Sequence, residues 1–236
     1  MMKTIGLVGG MSWESTAHYY RLLNEAVKAR QGGLHSAPCL VASLDFATIE
    51  PLQRAGRWDE AGALLNQAAL GLERAGAELL LLCANTMHKV ADRMMVGVRI
   101  PLLHIADATA ARVREAGVRR VGLLGTRYTM EQEFYRERLA GRHGLEVLVP
   151  GPADRAEVNR VIFEELVLGR IESGSKARYV AVMEGLAAAG AEGIIAGCTE
   201  IGMLVSQADA PVPLFDTTAI HVLAAVEQAL GPRSAG

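Results

Sequence analysis

The feature that most constrains this 236-residue chain is an internal repeat, in which the second half echoes the first. Two glycine-containing tetrapeptides occur in the same order in both halves. In each half, the second tetrapeptide is followed by an apolar run that ends at a cysteine. The paired landmarks are Gly6–Gly9 with Gly122–Gly125, Ala75–Glu78 with Ala189–Glu192, and Cys83 with Cys198. Their offsets are 116, 114 and 115 residues, so a one-residue slip separates the second tetrapeptide from the cysteine. A fourth pair, Ile100–Leu102 with Val212–Leu214, follows the cysteines at an offset of 112 residues. Because a repeat sets the architecture, the chain is predicted to form two similar units.

Short apolar runs alternate with longer amphipathic ones, a pattern typical of strands buried on both faces and covered by helices. The fold class is therefore predicted to be α/β, with a mostly parallel four-stranded sheet in each half. The predicted strands are Lys3–Val8, Cys39–Leu44, Glu78–Leu82, Pro101–Leu103, Arg120–Leu124, Leu145–Val149, Gly193–Ala196 and Val212–Phe215. The clearest predicted helices are Ser15–Ala29, Asp59–Ala75, Ile105–Glu115, Met130–Leu139, Ala156–Leu168 and Thr217–Leu230.

The repeat also predicts how the chain is divided. Residues 1–103 and 216–236 are expected to form the first lobe, because the final helix is expected to return to it, and residues 104–215 the second. Open α/β sheets bind ligands at the carboxyl ends of their strands. Two lobes related by a pseudo-twofold axis would present those ends to a shared cleft, with Cys83 and Cys198 on opposite sides of it.

Composition excludes several classes of function. The formal net charge is −2, without a block of like charge, so no nucleic-acid partner is expected. No run of 18 apolar residues occurs, and the first ten residues do not resemble a signal peptide, so a cytoplasmic protein without a membrane partner is expected. None of the three cysteines is part of a CxxC pair, so they are expected to be free thiols. The six histidines form no HExxH motif, so no metal site is expected.

The paired cysteines suggest a reaction. Inverting a stereocentre next to a carboxylate needs one group that removes a proton from one face and another that delivers a proton to the opposite face. Cys83 and Cys198 suit these two roles, one as thiolate and one as thiol, exchanging roles in the reverse reaction. Cys39, inside a predicted strand, is expected to be a core residue.

Polar residues follow both cysteines, in Ala84-Asn85-Thr86 and Thr199-Glu200. Such side chains are expected to cap a helix, whose N-terminus would favour the thiolate, and to donate hydrogen bonds to a carboxylate. His88 is left with two interpretations, a group that polarises Cys83 or a residue on a helix face.

One loop follows the first strand of each half, at residues 9–15 in the first half and 125–129 in the second. Glycines in the first let backbone N–H groups approach an anion, and Thr126 and Thr129 in the second offer hydroxyls to the same ligand; ordinary helix capping is the alternative. Neither is a GxGxxG fingerprint, so no nucleotide is expected. Pyridoxal chemistry needs a lysine, and only Lys89 lies near a site segment, so no cofactor is expected.

Several motifs together resemble the aspartate/glutamate racemase superfamily, and the likeness to its broad-specificity amino-acid racemase branch runs essentially end to end. The motifs are IGLVGGMSWEST, GGLHSA, LCANTMHKVAD, HIADAT, LLGTRYTMEQ, FEEL, AGCTE and FDTTAIH.

The resemblance implies two Rossmann-like lobes, a homodimer, and a cofactor-independent racemase with Cys83 and Cys198 as the acid/base pair. It also implies a substrate carboxylate site. Its residues by motif position are Met11, Ser12, Asn85, Thr86, Thr126, Thr129 and Thr199.

Departures from the family pattern bear on the amino-acid side chain. Strict aspartate racemases carry an arginine and a lysine where this chain has Glu50 and Val167. Glu50 and Glu165 are therefore predicted to contact neutral polar or cationic substrate side chains, with solvated surface glutamates as the alternative. Broad specificity is expected rather than strict use of aspartate or glutamate. The glutamate racemase branch has histidine where this chain has Glu200.

Three alternatives stay open: a racemase strictly specific for aspartate or glutamate, a related decarboxylase, hydantoin racemase or maleate isomerase, and a two-lobed protein that only binds a small carboxylate. The presence of both cysteines favours a racemase over a decarboxylase.

Overall fold

The computed structural model describes residues 2–231, and its chain divides into two compact units. Of the described residues, 2–104 and 221–231 form the first unit, and 105–220 form the second. Each unit has its own four-stranded parallel sheet and its own hydrophobic cores.

The sheet of the first unit has the strand order β2-β1-β3-β4, and all pairs are parallel. Its strands are β1 Ile5–Gly9, β2 Cys39–Ser43, β3 Leu79–Leu82 and β4 Leu102–Leu103. The α-helices that connect them are α1 Trp13–Gln31, α2 Phe46–Arg54, α3 Trp58–Arg74 and α4 Ala91–Met94, and a 3-10 helix covers Thr86–Val90. β1 and β3 consist entirely of buried residues because helices cover both faces of the sheet.

The second unit repeats this topology in the order β6-β5-β7-β8, again with parallel pairs only. Its strands are β5 Arg120–Gly125, β6 Glu146–Leu148, β7 Gly193–Gly197 and β8 Leu214–Asp216. Its helices are α5 Ile105–Glu115, α6 Arg127–Glu131, α7 Glu133–Glu137, α8 Pro152–Glu164, α9 Ser173–Ala188 and α10 Ile201–Leu204. Shorter turns of helix cover Arg138–Arg142, Leu166–Leu168 and Gln207–Asp209, and the last helix, α11 Thr217–Leu230, begins in this unit and ends in the first.

Alternate residues of the central strands face opposite layers. In β3, Leu80 and Leu82 pack with α3, while Leu79 and Leu81 pack with α1 and α11. In β7, Ile194 packs with α8 and α9, whereas its neighbour Ile195 packs with α5. The period of two in a strand produces this alternation and gives each sheet two buried faces.

The predicted α/β class with two four-stranded parallel sheets is confirmed, and all eight strands lie within two residues of the predicted bounds. Two helix predictions are wrong in their continuity. Gln132 has an extended backbone that separates α6 from α7 inside the predicted helix Met130–Leu139. Glu165 leaves helical geometry between α8 and the turn Leu166–Leu168, which breaks the predicted helix Ala156–Leu168.

Within residues 2–231, none of the helices has both the length and the apolar character that a membrane span requires.

Candidate active site

The loop after β1 is fixed by a close backbone approach. Gly10 has φ +88°, and a Cβ at this position would lie 2.0 Å from the carbonyl oxygen of Leu44, so only glycine fits. The Gly10 N–H donates to Thr16 Oγ1 at 2.8 Å, and that hydroxyl donates to the Ser12 carbonyl at 3.0 Å. Ser12 also caps α1, because its Oγ accepts from the Ser15 N–H at 3.3 Å. Met11 and Ser12, two of the predicted carboxylate contacts, are therefore held in a buried, ordered turn.

Cys83 directly follows β3, and its N–H donates to the Val8 carbonyl at 2.9 Å. The side chain is fully buried among residues of α1 and α11. Burial raises the pKa of the Cys83 thiol, and no charged group adds to that shift among the residues that the structure describes. Asn85 and Thr86, which follow, are buried at the same edge of the sheet.

The structure corrects the prediction that polar residues after the cysteines cap helices. Asn85 precedes a 3-10 helix and Glu200 precedes the four-residue helix α10, and neither side chain makes a capping hydrogen bond. Burial is the largest influence on each thiol and raises its pKa. At Cys198 the backbone N–H groups of Thr199 and Glu200 lower the pKa, as expected, but by less than burial raises it.

A cluster of three buried histidines lies in the first unit beside these residues: His88, His104 and His221. The His88 ring centroid is 4.4 Å from that of His104 and 6.1 Å from that of His221. His88 is buried and its Nδ1 donates to the Ala84 carbonyl at 2.8 Å, so it is not a surface residue. That His88 polarises Cys83 stays a prediction.

His221 is held in one tautomer. Its Nε2 donates to the Leu103 carbonyl at 2.9 Å, so its Nδ1 accepts from the Tyr19 hydroxyl, also at 2.9 Å. Burial lowers the pKa of His221 to about 4, so the ring is neutral at physiological pH. Sequence reasoning did not single out His104 or His221; their places next to β4 and at the start of α11 were the available signal.

The corresponding loop in the second unit also has a close backbone approach, since a Cβ on Gly125 would lie 2.8 Å from the Gly197 carbonyl oxygen, and it adds hydrogen bonds between side chains. Thr126 caps α6, and its Oγ1 accepts from the Thr129 N–H at 3.3 Å. The two threonine hydroxyls are also 3.3 Å apart, and both side chains are buried. Gly125, which ends β5, pairs with Gly197 of β7. Thr126 and Thr129 therefore sit at the carboxyl ends of the two central strands.

Cys198 follows β7 and has an acidic partner. Its Sγ is 3.0 Å from Glu200 Oε2, and the Thr199 hydroxyl donates to the same oxygen at 2.8 Å. All three side chains are buried. Burial raises the pKa of the Cys198 thiol first, and the Glu200 charge raises it further, while the backbone N–H groups of Thr199 and Glu200 act in the opposite sense.

The two glutamates predicted to contact the substrate side chain are each paired with an arginine. Glu50, on α2, accepts a bidentate hydrogen bond from Arg54 at 2.8 to 3.0 Å. Glu165, after α8, has Oε1 3.0 Å from Arg160, whereas its Oε2 is buried without a hydrogen-bond partner among the described residues. Arg160 is shared with Glu157 and Glu164.

The structure thus groups most of the predicted site residues at one place within each unit. Met11, Ser12, Cys83, Asn85 and Thr86 meet at the carboxyl ends of β1 and β3 in the first unit. In the second unit, the residues at the ends of β5 and β7 are Thr126, Thr129, Cys198 and Thr199. Glu50 lies on α2 and Glu165 directly follows α8, and both are outside these strand ends.

Within the described part of the chain, no group of three or more histidine, cysteine or acidic side chains has a geometry suited to holding a metal ion. Lys89, considered above for a Schiff base, has its Nζ 4.8 Å from the centre of the Trp58 ring.

Comparison with known families decides the relationship, because the model of the Asp/Glu/Hydantoin racemase family matches residues 8–225. The chain belongs to this racemase family. The match spans both units, including both cysteine segments, and confirms the family resemblance predicted from the motifs.

Solved structures of the racemase family agree in sequence and fold. The crystal structure of a candidate Asp/Glu racemase from Yersinia pestis shares 56% identity, covers 98% of this chain and 100% of its own, and has a TM-score of 0.90. An aspartate racemase homologue from Pyrococcus horikoshii shares 37% identity over 98% and 100% of the two chains, with a TM-score of 0.84. A more distant relative is the broad specificity amino-acid racemase RacX of Bacillus subtilis, 25% identical over 68% of this chain and 69% of its own.

Proposed function

We propose that the protein is a cofactor-independent amino-acid racemase that uses Cys83 and Cys198 as a two-base pair. The observation that carries the proposal is that a buried cysteine directly follows the corresponding strand of each unit, Cys83 after β3 and Cys198 after β7. Open α/β folds bind ligands at these carboxyl ends of their strands. Membership of a racemase family supports an isomerase.

The reaction needs two proton transfers at one carbon. A thiolate at one cysteine takes the Cα proton and becomes a thiol, leaving the electron pair on Cα and the adjacent carboxylate. The thiol of the other cysteine then delivers its proton to the opposite face and becomes a thiolate. The net change is inversion at Cα, and the next turnover begins from the reversed protonation state or after the protons redistribute.

The buried polar groups at the carboxyl ends of the central strands of each sheet are proposed to hold the substrate carboxylate. Ser12, Asn85 and Thr86 offer donors in the first unit, and Thr126, Thr129 and Thr199 offer hydroxyls in the second. Met11 is proposed to pack against the substrate from the first loop.

The charge around Glu50 and Glu165 supports broad specificity. The arginines near them, Arg54 and Arg160, are already engaged by carboxylates, so neither is free to grip an acidic side chain. The unpartnered Oε2 of Glu165 can accept a hydrogen bond from an amide or ammonium group. We therefore propose that amino acids with neutral and basic side chains are turned over along with acidic ones.

Strict use of aspartate or glutamate is the second candidate. Ion pairing with Arg54 and Arg160 neutralises the two glutamates, which weakens the repulsion that an acidic substrate would meet. Substrate ranking separates the two specificities.

The test is proton NMR in D₂O with protein freed of pyridoxal phosphate and metals, using L-alanine, L-glutamine, L-lysine, L-aspartate and L-glutamate. We expect loss of the Cα proton signal and formation of the D-enantiomer on a chiral column, for neutral as well as acidic substrates. Turnover of the acidic pair alone would replace broad specificity by the strict alternative. Absence of exchange and of D-product with all five would overturn the racemase proposal, and loss of the substrate carboxylate would identify a decarboxylase.

A further inference from the structure

The two cysteines differ in their immediate partners, and the difference bears on which of them holds the proton at rest. Two residues after Cys83 the chain has Asn85, a neutral amide, and two residues after Cys198 it has Glu200. Glu200 is 2% exposed and its Oε2 lies 3.0 Å from Cys198 Sγ.

A separation of 3.0 Å between a carboxylate oxygen and a sulfur requires a proton between them. A thiolate and a carboxylate are both acceptors, and two negative charges at this distance in a buried site repel strongly. The Thr199 hydroxyl donates to the same oxygen at 2.8 Å, so Glu200 Oε2 acts as a hydrogen-bond acceptor towards both neighbours. The arrangement therefore corresponds to a Cys198 thiol that donates to the Glu200 carboxylate.

The other ionisable groups that face Cys198 do not offset this charge. Tyr179 of α9 packs in the same core, and the charges that act on it come from Cys198, Glu165, Glu157 and Glu200. The Tyr179 hydroxyl donates to the Val158 carbonyl at 2.9 Å, so it is not directed at the sulfur. Backbone N–H groups of Thr199 and Glu200 support the thiolate once the proton has left.

We propose that Glu200 is a positioning residue that keeps the resting proton on Cys198, so that the resting enzyme presents Cys198 as the acid and Cys83 as the base. This inference rests on the proposed two-base function and assigns its two roles. In the resting form Cys83 removes the Cα proton, and Cys198 delivers its own proton to the opposite face as its hydrogen bond to Glu200 breaks. The enzyme then holds a Cys83 thiol and a Cys198 thiolate, and a proton must return to Cys198 to restore the resting form.

The test measures the protonation of each sulfur directly, by NMR of protein labelled with ¹³Cβ-cysteine across the pH range in which it stays folded. Single Cys→Ser variants at positions 39, 83 and 198 assign the three signals. In the wild type, Cys83 is expected to become a thiolate at lower pH than Cys198. Glu200→Gln, which removes the charge with little change in size, is expected to lower the Cys198 titration by roughly one pH unit or more and leave Cys83 unchanged.

A reciprocal variant guards against a purely structural effect. Asn85→Asp places a carboxylate two residues after Cys83 and is expected to raise the Cys83 titration, leaving Cys198 unchanged. Circular dichroism confirms that each variant is folded. If Glu200→Gln does not fold, the wild-type titration order and Asn85→Asp still decide.

Two results would overturn the assignment: a wild-type Cys198 that titrates at or below Cys83, or a folded Glu200→Gln in which Cys198 titrates no lower than in the wild type. If neither sulfur titrates in the wild type or in Glu200→Gln, the substitution has not lowered the Cys198 titration, and the assignment is overturned as well. The titrations do not depend on turnover, so the two proposals can fail separately. A protein that fails the D₂O assay but shows the expected titrations would refute the racemase proposal and retain the pairing of Glu200 with Cys198. A protein that racemises but lacks the expected titrations would refute only the role proposed for Glu200.

Discussion

The ends of β3 and β7 hold corresponding positions in the two sheets, and they differ in the surroundings of their cysteines. Cys83 lies among residues of α1 and α11, whereas Cys198 lies among residues of α8 and α9. These are not corresponding layers: α3, which precedes β3, corresponds to α9, which precedes β7, and Cys83 lies on the face of its sheet opposite to α3.

A one-residue slip in the repeat explains the difference. Cys83 is five residues after Glu78, while Cys198 is six residues after Glu192. Because successive residues of a strand point to opposite faces, one added residue moves the cysteine to the other face. The two units thus share a fold, yet they give their cysteines different neighbours, and the two cysteines are not interchangeable.

The largest expected effect tests whether both strand ends are needed. Cys83→Ala and Cys198→Ala each remove one of the two proposed proton-transfer groups, so each is expected to lower kcat for racemisation by about 10³-fold or more. The measurement is polarimetry with both enantiomers of the best substrate from the panel.

Cys39→Ala is the matched control for these cysteine variants, because Cys39 is in β2 and not at a carboxyl strand end. Its activity is expected to stay within about twofold of the wild type, since surrounding structure rather than chemistry is altered. Full activity in either of the other two variants would show that only one strand end takes part.

The next effect tests the difference between the loops after β1 and β5. Gly10→Ala places a Cβ 2.0 Å from the Leu44 carbonyl oxygen and is expected to destabilise the protein by more than about 3 kcal/mol. The position that follows β5 holds Thr126, which has an ordinary extended backbone and caps α6. Urea unfolding followed by circular dichroism measures the change.

Gly97→Ala is the control for backbone conformation alone, because Gly97 has φ +75° and no atom within 4 Å of an added Cβ. Its cost is expected to be about 1 to 2 kcal/mol. Equal costs at Gly10 and Gly97 would argue that the approach to Leu44 does not constrain the loop.

A third effect concerns the buried histidines of the first unit, to which the second unit has no counterpart among its described residues. Burial lowers the pKa of His221 to about 4, so below its ordinary value the unfolded chain takes up a proton that the folded protein does not. Stability from this residue is therefore fully present above pH 6.5 and falls as the pH drops towards 4, by up to about 3 kcal/mol.

His221→Gln keeps hydrogen-bonding atoms and removes the titration, so its stability is expected to vary less with pH between 6.5 and 4. The exposed residue His35 supplies the control His35→Gln, which is expected to retain the wild-type dependence. Identical pH dependence in wild type and His221→Gln, measured by urea unfolding, would mean that His221 is not held neutral.

Much of the fold follows from the sequence because the signals are local. Strands such as Leu79–Leu82 are continuous apolar runs, and their alternation with amphipathic segments is enough to predict two parallel sheets. The breaks at Gln132 and Glu165 were not predictable, because backbone changes between two helical turns leave the apolar periodicity on both sides unchanged.

The residues of the candidate site were predicted from the sequence, but the difference between the surroundings of its two cysteines was not. The repeat marks Cys83 and Cys198, and the polar residues beside them are visible in the sequence. That Glu200 turns towards Cys198 instead of capping a helix depends on side-chain direction, which no sequence pattern specifies. The pairing of Glu50 with Arg54 was accessible as an i,i+4 pair, whereas the pairing of Glu165 with Arg160 depends on the break after α8.

The two-base proposal places the two cysteines on opposite faces of one Cα, and a comparison of Cys83→Ser with Cys198→Ser on Cα-deuterated D- and L-substrate tests it. Slow transfer at the altered position should give a large primary isotope effect only with the enantiomer whose deuterium that position removes. Cys83→Ser is expected to show this effect with one enantiomer and Cys198→Ser with the other. The same enantiomer showing the effect in both variants, or no effect in either, would contradict it.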